Sequence, residues 1–252
     1  MKKTLYFLYG VFSYLAFFVT FLYAIGFVGN LVVPKSIDGI PEVPLWQALL
    51  TNAGSLVLFA LQHSIMARPA FKRWWTKFVP EPIERSTYVL LTSIILAAMM
   101  ALWQPMGGVV WTIESEAVRS VLLVTYLLGW AIVFVATFLI NHFDLFGLRQ
   151  VWMYFIGKPY THLPFRVPFL YKYVRHPLYF GYLIAFWSAP VMTFAHLLFA
   201  IATTGYMLTA IRFEERDLIA HFGQRYRDYR KQVPMIIPIP RKPAAEPVPV
   251  EN

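Results

Sequence analysis

Apolar residues run in long blocks separated by short charged loops. A helix needs about 20 apolar residues to cross the hydrocarbon core of a bilayer. The blocks over residues 5–33, 45–66, 86–103 and 117–140 meet or approach that length and predict four full spans. A fifth block, residues 178–211, is too long for one straight span and too short for two complete ones. Pro190, Thr193 and His196 interrupt it near its middle, which predicts a helical hairpin with short arms whose turn barely reaches the far side. The expected fold is all-α: a polytopic membrane bundle of four full spans plus a C-terminal hairpin, five to six transmembrane helices in one domain over residues 1–237.

The segments between and after these blocks have their own patterns. Residues 143–156 predict an interfacial helix. Phe213, Leu218, Phe222, Tyr226 and Tyr229 recur at steps of three to five, which predicts an amphipathic helix over 213–232 on the cytoplasmic side. Proline and alanine dominate residues 238–252 and predict a disordered tail. The first block follows Met1-Lys2-Lys3, as a signal peptide would. It is far longer than the roughly 7–15-residue core of such a signal and lacks a small-x-small cleavage site, so a retained span is expected.

Composition supports the membrane reading. Of 252 residues, 58% are hydrophobic and 14% charged, against roughly 25% charged in soluble domains. The net charge of +9 comes from loops. Lys2, Lys3, residues 68–85, residues 149–175 and residues 212–242 carry nearly all the lysine and arginine, while Lys35 and Arg119 lie on the alternate loops. This alternation puts both termini and the large loops in the cytoplasm. It explains the positive charge through orientation and attraction to anionic lipid, leaving no role for nucleic acid. Cysteine is absent, which excludes disulfides and cysteine-ligated metal. No HExxH-type spacing occurs, so no metal is expected. The bilayer is the one partner the pattern demands, and no obligate protein partner is evident.

Two charged clusters flank the last apolar block. Arg175-His176-Pro177 opens it, with Tyr179 and Gly181 just inside, and Arg212-Phe213-Glu214-Glu215-Arg216-Asp217-Leu218 closes it. Each half has an ordinary explanation. Arg175 suits a positive-inside anchor, Pro177 suits the first turn of a helix, and the glutamates suit a surface. Together they offer cations for a carboxylate, and carboxylates for an ammonium or sugar hydroxyls. S-adenosyl-L-methionine presents all of these groups. Gly181 lets a ligand or backbone come close. Glu214 and Glu215 point about 100° apart on a helix, so one of them can face inward. Gln62 and His63 end the second span, and an ionisable residue there is a functional candidate. The alternative is a histidine satisfied by another helix's backbone. His142 and Asp144 share no helical face but would meet in a turn. The alternative is a polar patch flanking the interface.

The series Arg175-His176-Pro177-x-Tyr179-x-Gly181, Glu214-Glu215-x-x-Leu218, Phe222-Gly223-x-x-Tyr226-x-x-Tyr229 and Val233-Pro234 resembles the C-terminal half of isoprenylcysteine carboxyl methyltransferases and membrane phospholipid methyltransferases. Residues 61–68 (LQHSIMAR) and 141–150 (NHFDLFGLRQ) resemble the bacterial methanethiol S-methyltransferases and the related nitrite/nitric-oxide-associated membrane proteins. The resemblance implies S-adenosyl-L-methionine bound at the cytoplasmic face of the bacterial inner membrane, and methyl transfer to a small thiol, methanethiol, giving dimethyl sulfide. It implies a cofactor set of Arg175, His176, Pro177, Tyr179, Gly181, Glu214 and Glu215. No glycine-rich strand-to-helix turn competes as a Rossmann site. Because the thiolate is the nucleophile, a base is expected. His63 is the first choice, with Gln62 beside it and His142 or Asp144 to orient it. Two alternatives stay open. One is a lipidic acceptor, a prenylcysteine carboxylate or a phospholipid amine, which needs a lateral opening between helices. The other is a non-enzymatic membrane factor or transporter, which the clustering of charge on one face disfavours.

Overall fold

The computed structural model describes residues 1–239. In chain order the elements are α1 (Lys2–Gly29), α2 (Leu45–Ala67), α3 (Pro69–Trp75), α4 (Glu81–Leu102), β1 (Val109–Thr112), α5 (Glu116–Ile140), α6 (His142–Leu145), α7 (Leu148–Phe155), a 3-10 turn (Phe169–Lys172), α8 (Pro177–Trp187), β2 (Val191–Thr193), α9 (Phe194–Phe222) and α10 (Gln224–Gln232). Helices α1, α2, α4, α5 and α9 are long and apolar enough to cross a membrane, and α8 is a shorter apolar helix. The protein is a polytopic helical membrane protein, with one small sheet among the described residues.

The four expected spans are α1, α2, α4 and α5. Helix α4 starts at Glu81, before its apolar block, because Pro82 suits the first turn and Glu81 and Glu84 complement the helix dipole there. Helix α1 stops short of residue 33 at Asn30, which takes a left-handed conformation (φ 53°).

The C-terminal hairpin has unequal arms. Helix α8 has 11 residues, about 16 Å of rise, whereas α9 has 29, about 44 Å. The amphipathic helix expected over 213–232 is divided: its first turns continue α9 and the rest is α10. The interfacial helix expected over 143–156 is likewise divided into α6 and α7. Both breaks fall at glycines with positive φ, +88° at Gly147 and +59° at Gly223, a conformation other residues adopt only with strain. An antiparallel β1–β2 pair, with Val109 opposite Thr193 and Thr112 opposite Val191, joins the loop after α4 to the turn before α9. The Thr193 hydroxyl bonds the Asp38 carboxylate beside it. β1 lies between two of the apolar blocks and β2 inside the last one, and both runs are too short to carry a strand signal of their own.

The chain forms two compact units. The first comprises Met1–Glu114, His142–Thr161 and Pro190–Ala202. In it α4 packs against α1 and α2, and α7 packs against α1 and α4. Met66, Tyr88 and Val89 form a core with Phe17, Phe71, Trp75 and Phe146 around it. The second comprises Ser115–Asn141, His162–Ala189 and the described residues from Thr203. Its main packing is α5 on α8. A Cβ on Gly181 would lie 2.6 Å from the Gly129 carbonyl oxygen, and one on Gly129 would lie 2.7 Å from that of Gly181. The close approach that Gly181 permits is therefore to the backbone of α5, as small residues allow between membrane helices. Of the tail expected to be disordered over 238–252, residues 240–252 lie outside the described residues.

Candidate functional site

Proline dictates the local geometry of the Arg175-His176-Pro177 corner. A residue before proline is pushed out of the helical region, and His176 sits at φ −125°, ψ 64° as the N-cap of α8, with Pro177 buried in the first turn. The extended chain leaves two N–H groups pointing outward. Arg175 N–H donates to the Pro234 carbonyl (2.9 Å) and His176 N–H to that of Met235 (3.1 Å). The C-terminal segment Val233–Met235 is thus clamped beside the start of α8.

The side chains converge on Glu215. Arg175 Nε donates to Glu215 Oε1 at 2.7 Å, and His176 Nε2 lies 3.2 Å from the same oxygen. Arg175 Nη1 donates to the carbonyls of Arg230 (3.0 Å) and Val233 (2.5 Å). The pair is buried, with 7% of the Arg175 and 10% of the Glu215 side chain exposed. The other Glu215 oxygen is 3.6 Å from Arg230 Nη1. Glu214 is more open: 44% of its side chain is exposed, and its Oε2 is 3.7 Å from His176 Nδ1. One glutamate faces in and its neighbour faces out, as their helical spacing requires. The Tyr179 ring lies 5.7 Å from that of His176.

Beside this cluster opens a hollow of about 330 Å³ lined by Arg212, Glu215, Arg216, Ile219 and Arg230. Its first four residues stand at i, i+3, i+4 and i+7, one face of α9. The fifth comes from α10. That helix is held by Tyr226, Tyr229 and Val233, which are buried against Phe165, Val167, Leu218, Ile219 and Phe222. The Tyr229 hydroxyl donates to the Tyr171 carbonyl at 2.6 Å. Burial raises the phenol pKa of both Tyr226 and Tyr229, so they remain neutral donors. These tyrosines pack the element that supplies Arg230 and the carbonyls holding Arg175.

The remaining candidates lie in the first unit. His63, near the end of α2, stacks on Phe59 (ring centroids 5.4 Å apart, 19° between planes). The Tyr88 hydroxyl is 3.0 Å from its Nδ1. The Arg85 guanidinium lies over the Tyr88 ring, 5.0 Å from its centre. Gln62 Nε2 is 3.2 Å from the Thr92 hydroxyl on α4. His142 is buried, its Nε2 2.8 Å from the Tyr14 hydroxyl, and burial lowers its pKa. Asp144 accepts from Arg149 Nη1 at 2.8 Å and from the Tyr160 hydroxyl at 3.3 Å. Tyr14 is thus a partner of His142, and Arg149 and Tyr160 are partners of Asp144. Asp144 ties residues 160–161 to α7, since Arg149 also donates to the Thr161 carbonyl at 2.9 Å.

Known proteins give this geometry its context. A protein named methanethiol S-methyltransferase from Mycobacterium tuberculosis is 52% identical over 242 residues, 96% of this chain and 99% of its own. Methanethiol S-methyltransferase 2 from Bradyrhizobium diazoefficiens is 55% identical over 232 residues, 92% of this chain and 89% of its own. The chain belongs to the methanethiol S-methyltransferase family. Nurim from Xenopus laevis is a more distant relative, 31% identical over 204 residues, 73% of this chain and 70% of its own. No protein-family model matches the chain, and no solved structure does.

The residues that line the hollow but stand outside the cofactor set implied by the resemblance are Arg212, Arg216, Ile219 and Arg230. A signal for three of them was present, since 212, 215, 216 and 219 repeat at helical spacing. A helix that began at Phe213 would leave Arg212 off that face, whereas α9 runs continuously through it. Arg230 had no comparable signal, because the fold of the chain at Gly223 is what brings it back to Glu215.

Proposed function

We propose that this protein is an S-adenosyl-L-methionine-dependent thiol S-methyltransferase that converts methanethiol to dimethyl sulfide. We infer that it does so with both termini and its cofactor site on the cytoplasmic side of a bacterial inner membrane. The observation that carries the reading is the Arg175–His176–Glu215 cluster beside a hollow with three guanidiniums and one carboxylate on its walls. Its volume of about 330 Å³ falls in the range of ligand pockets, about 300–1,000 Å³. The donor set fits the cofactor: guanidinium for its carboxylate, glutamate for its ammonium and ribose hydroxyls. When bound, the cofactor supplies a methyl group on cationic sulfur, and its passage to a thiolate removes charge, which low-polarity surroundings favour.

The roles of the chain's own groups follow from their contacts. Arg175 and His176 hold Glu215 in place, and Pro177 presets the corner that presents them. Glu214 and Glu215 are the acceptors for the cofactor's donors, and Tyr179 flanks His176. Gly181 serves the α5–α8 crossing. We assign thiol deprotonation to His63, with Tyr88 fixing its ring and Gln62 beside it. His142 and Asp144 are positioning residues for their own segments. The choice of methanethiol follows the names of the relatives. The test is purified protein in detergent with methyl-labelled S-adenosylmethionine and, separately, methanethiol, hydrogen sulfide, phosphatidylethanolamine or a farnesyl-cysteine analogue. Label in dimethyl sulfide is the expected result. Label in lipid or farnesyl-cysteine alone overturns the thiol acceptor, and absence of cofactor binding overturns the methyltransferase.

A further inference from the structure

We propose that Arg212 and Arg216 form the subsite that binds the cofactor's carboxylate, and that Arg175 does not. The inference rests on the reading that S-adenosyl-L-methionine occupies the hollow beside Glu215. Arg175 is the guanidinium that the Arg-His-Pro motif brings forward, but it is not among the residues lining the hollow, and three of its five N–H donors are committed. Nε is on Glu215 and Nη1 on two backbone carbonyls, all of them buried or half-buried. Arg230 is tethered as well, by its 3.6 Å contact with the second Glu215 oxygen.

Arg212 and Arg216 differ. Both line the hollow, and among the described residues neither guanidinium has a hydrogen-bond acceptor or an ion-pair partner. They stand four residues apart on α9, so their charges lie one above the other on the same face. Like charges at that spacing destabilise a helix. An anion between them removes that repulsion, and a carboxylate matches the planar fork of arginine with paired hydrogen bonds. The charge balance agrees: Glu215 is already neutralised by Arg175, which leaves the hollow cationic. The ammonium and hydroxyl groups of the same ligand are then free to meet Glu215 and Glu214.

The test compares two ligands that differ by one carboxylate, S-adenosylmethionine and decarboxylated S-adenosylmethionine. Their dissociation constants would be measured by calorimetry on the full chain in detergent. The wild-type protein is expected to bind the first at least about ten-fold more tightly, the usual size of a charged hydrogen-bond contribution. In Arg212→Ala and Arg216→Ala that preference should collapse towards unity while affinity for the decarboxylated ligand stays. Retained binding of that ligand also shows that the variants are folded. Arg212→Lys should restore part of the preference, since charge returns without the fork. Equal binding of the two ligands by the wild type, or variants that keep the full preference, would overturn the subsite while leaving the cofactor site intact. A wild type that binds neither ligand would overturn the cofactor site itself, and the subsite with it.

Discussion

Glu215 and Glu214 are chemically identical and adjacent, yet their surroundings assign them unequal weight. Glu215 is buried against Arg175 and His176, so removing it leaves a buried guanidinium unpaired, at a cost of about 3–5 kcal/mol. Glu214 is nearly half exposed with a 3.7 Å contact, and such a pair contributes less than about 1 kcal/mol. We therefore expect Glu215→Ala to lower the melting temperature in detergent sharply and Glu214→Ala to leave it nearly unchanged. Equal losses would contradict the inward and outward assignment. A second residue-scale prediction concerns pH. Burial lowers the His142 pKa, so below an unfolded value of about 6.5 the unfolded chain takes up this proton before the folded chain does. Protonation then favours unfolding, and stability falls as pH drops through that window. Melting temperatures between neutral and mildly acidic pH should show a shallower acid slope in His142→Gln than in the wild type.

Elements are held by contacts that allow little change in volume. At the α5–α8 crossing, Gly181→Ala or Gly129→Ala would force a Cβ to within 2.6 or 2.7 Å of a backbone oxygen. Overpacking of this kind costs about 1–3 kcal/mol, and both variants should unfold at lower temperature. Gly54 in α2 is the contrast, since a Cβ there meets nothing within 4 Å. Gly54→Ala should be neutral or stabilising by about 0.5–1 kcal/mol, as for glycine in an open helix interior. Gly223 has a further role. Its φ of +59° and ψ of −129° end α9 and start α10, and α10 carries the carbonyl and guanidinium of Arg230. Gly223→Ala should cost about 1–3 kcal/mol in backbone strain. It should also weaken cofactor binding, which calorimetry would detect as a loss that Gly54→Ala does not share.

For the whole molecule, orientation follows from where charge can sit. A fluorescent protein fused to the C-terminus should be bright, as expected for a cytoplasmic end. Alkaline phosphatase fused after Gly107, in the loop following α4, should be active, as expected for the far side. The reverse pattern would sink the orientation. The spans were legible because bilayer thickness imposes one length on every crossing helix, whatever its neighbours. Residues 45–66 and 117–140 match α2 and α5 to within a residue or so for that reason. The hairpin was harder to read, because its second arm continues as a helix past the apolar block, where hydropathy is silent. The Arg-His-Pro and Glu-Glu halves of the candidate site are legible as charged clusters, since charge beside a span is conspicuous. Their wiring is not: the commitment of Arg175 to Glu215 and to the Arg230 and Val233 carbonyls depends on a chain reversal at Gly223. Composition and periodicity by themselves determined a membrane-spanning helical protein with a charged site at the ends of its last apolar block, because hydrophobic transfer acts residue by residue. Only the tertiary structure decided which charges neutralise one another and which face the hollow, because pairing depends on distances between residues far apart in the chain.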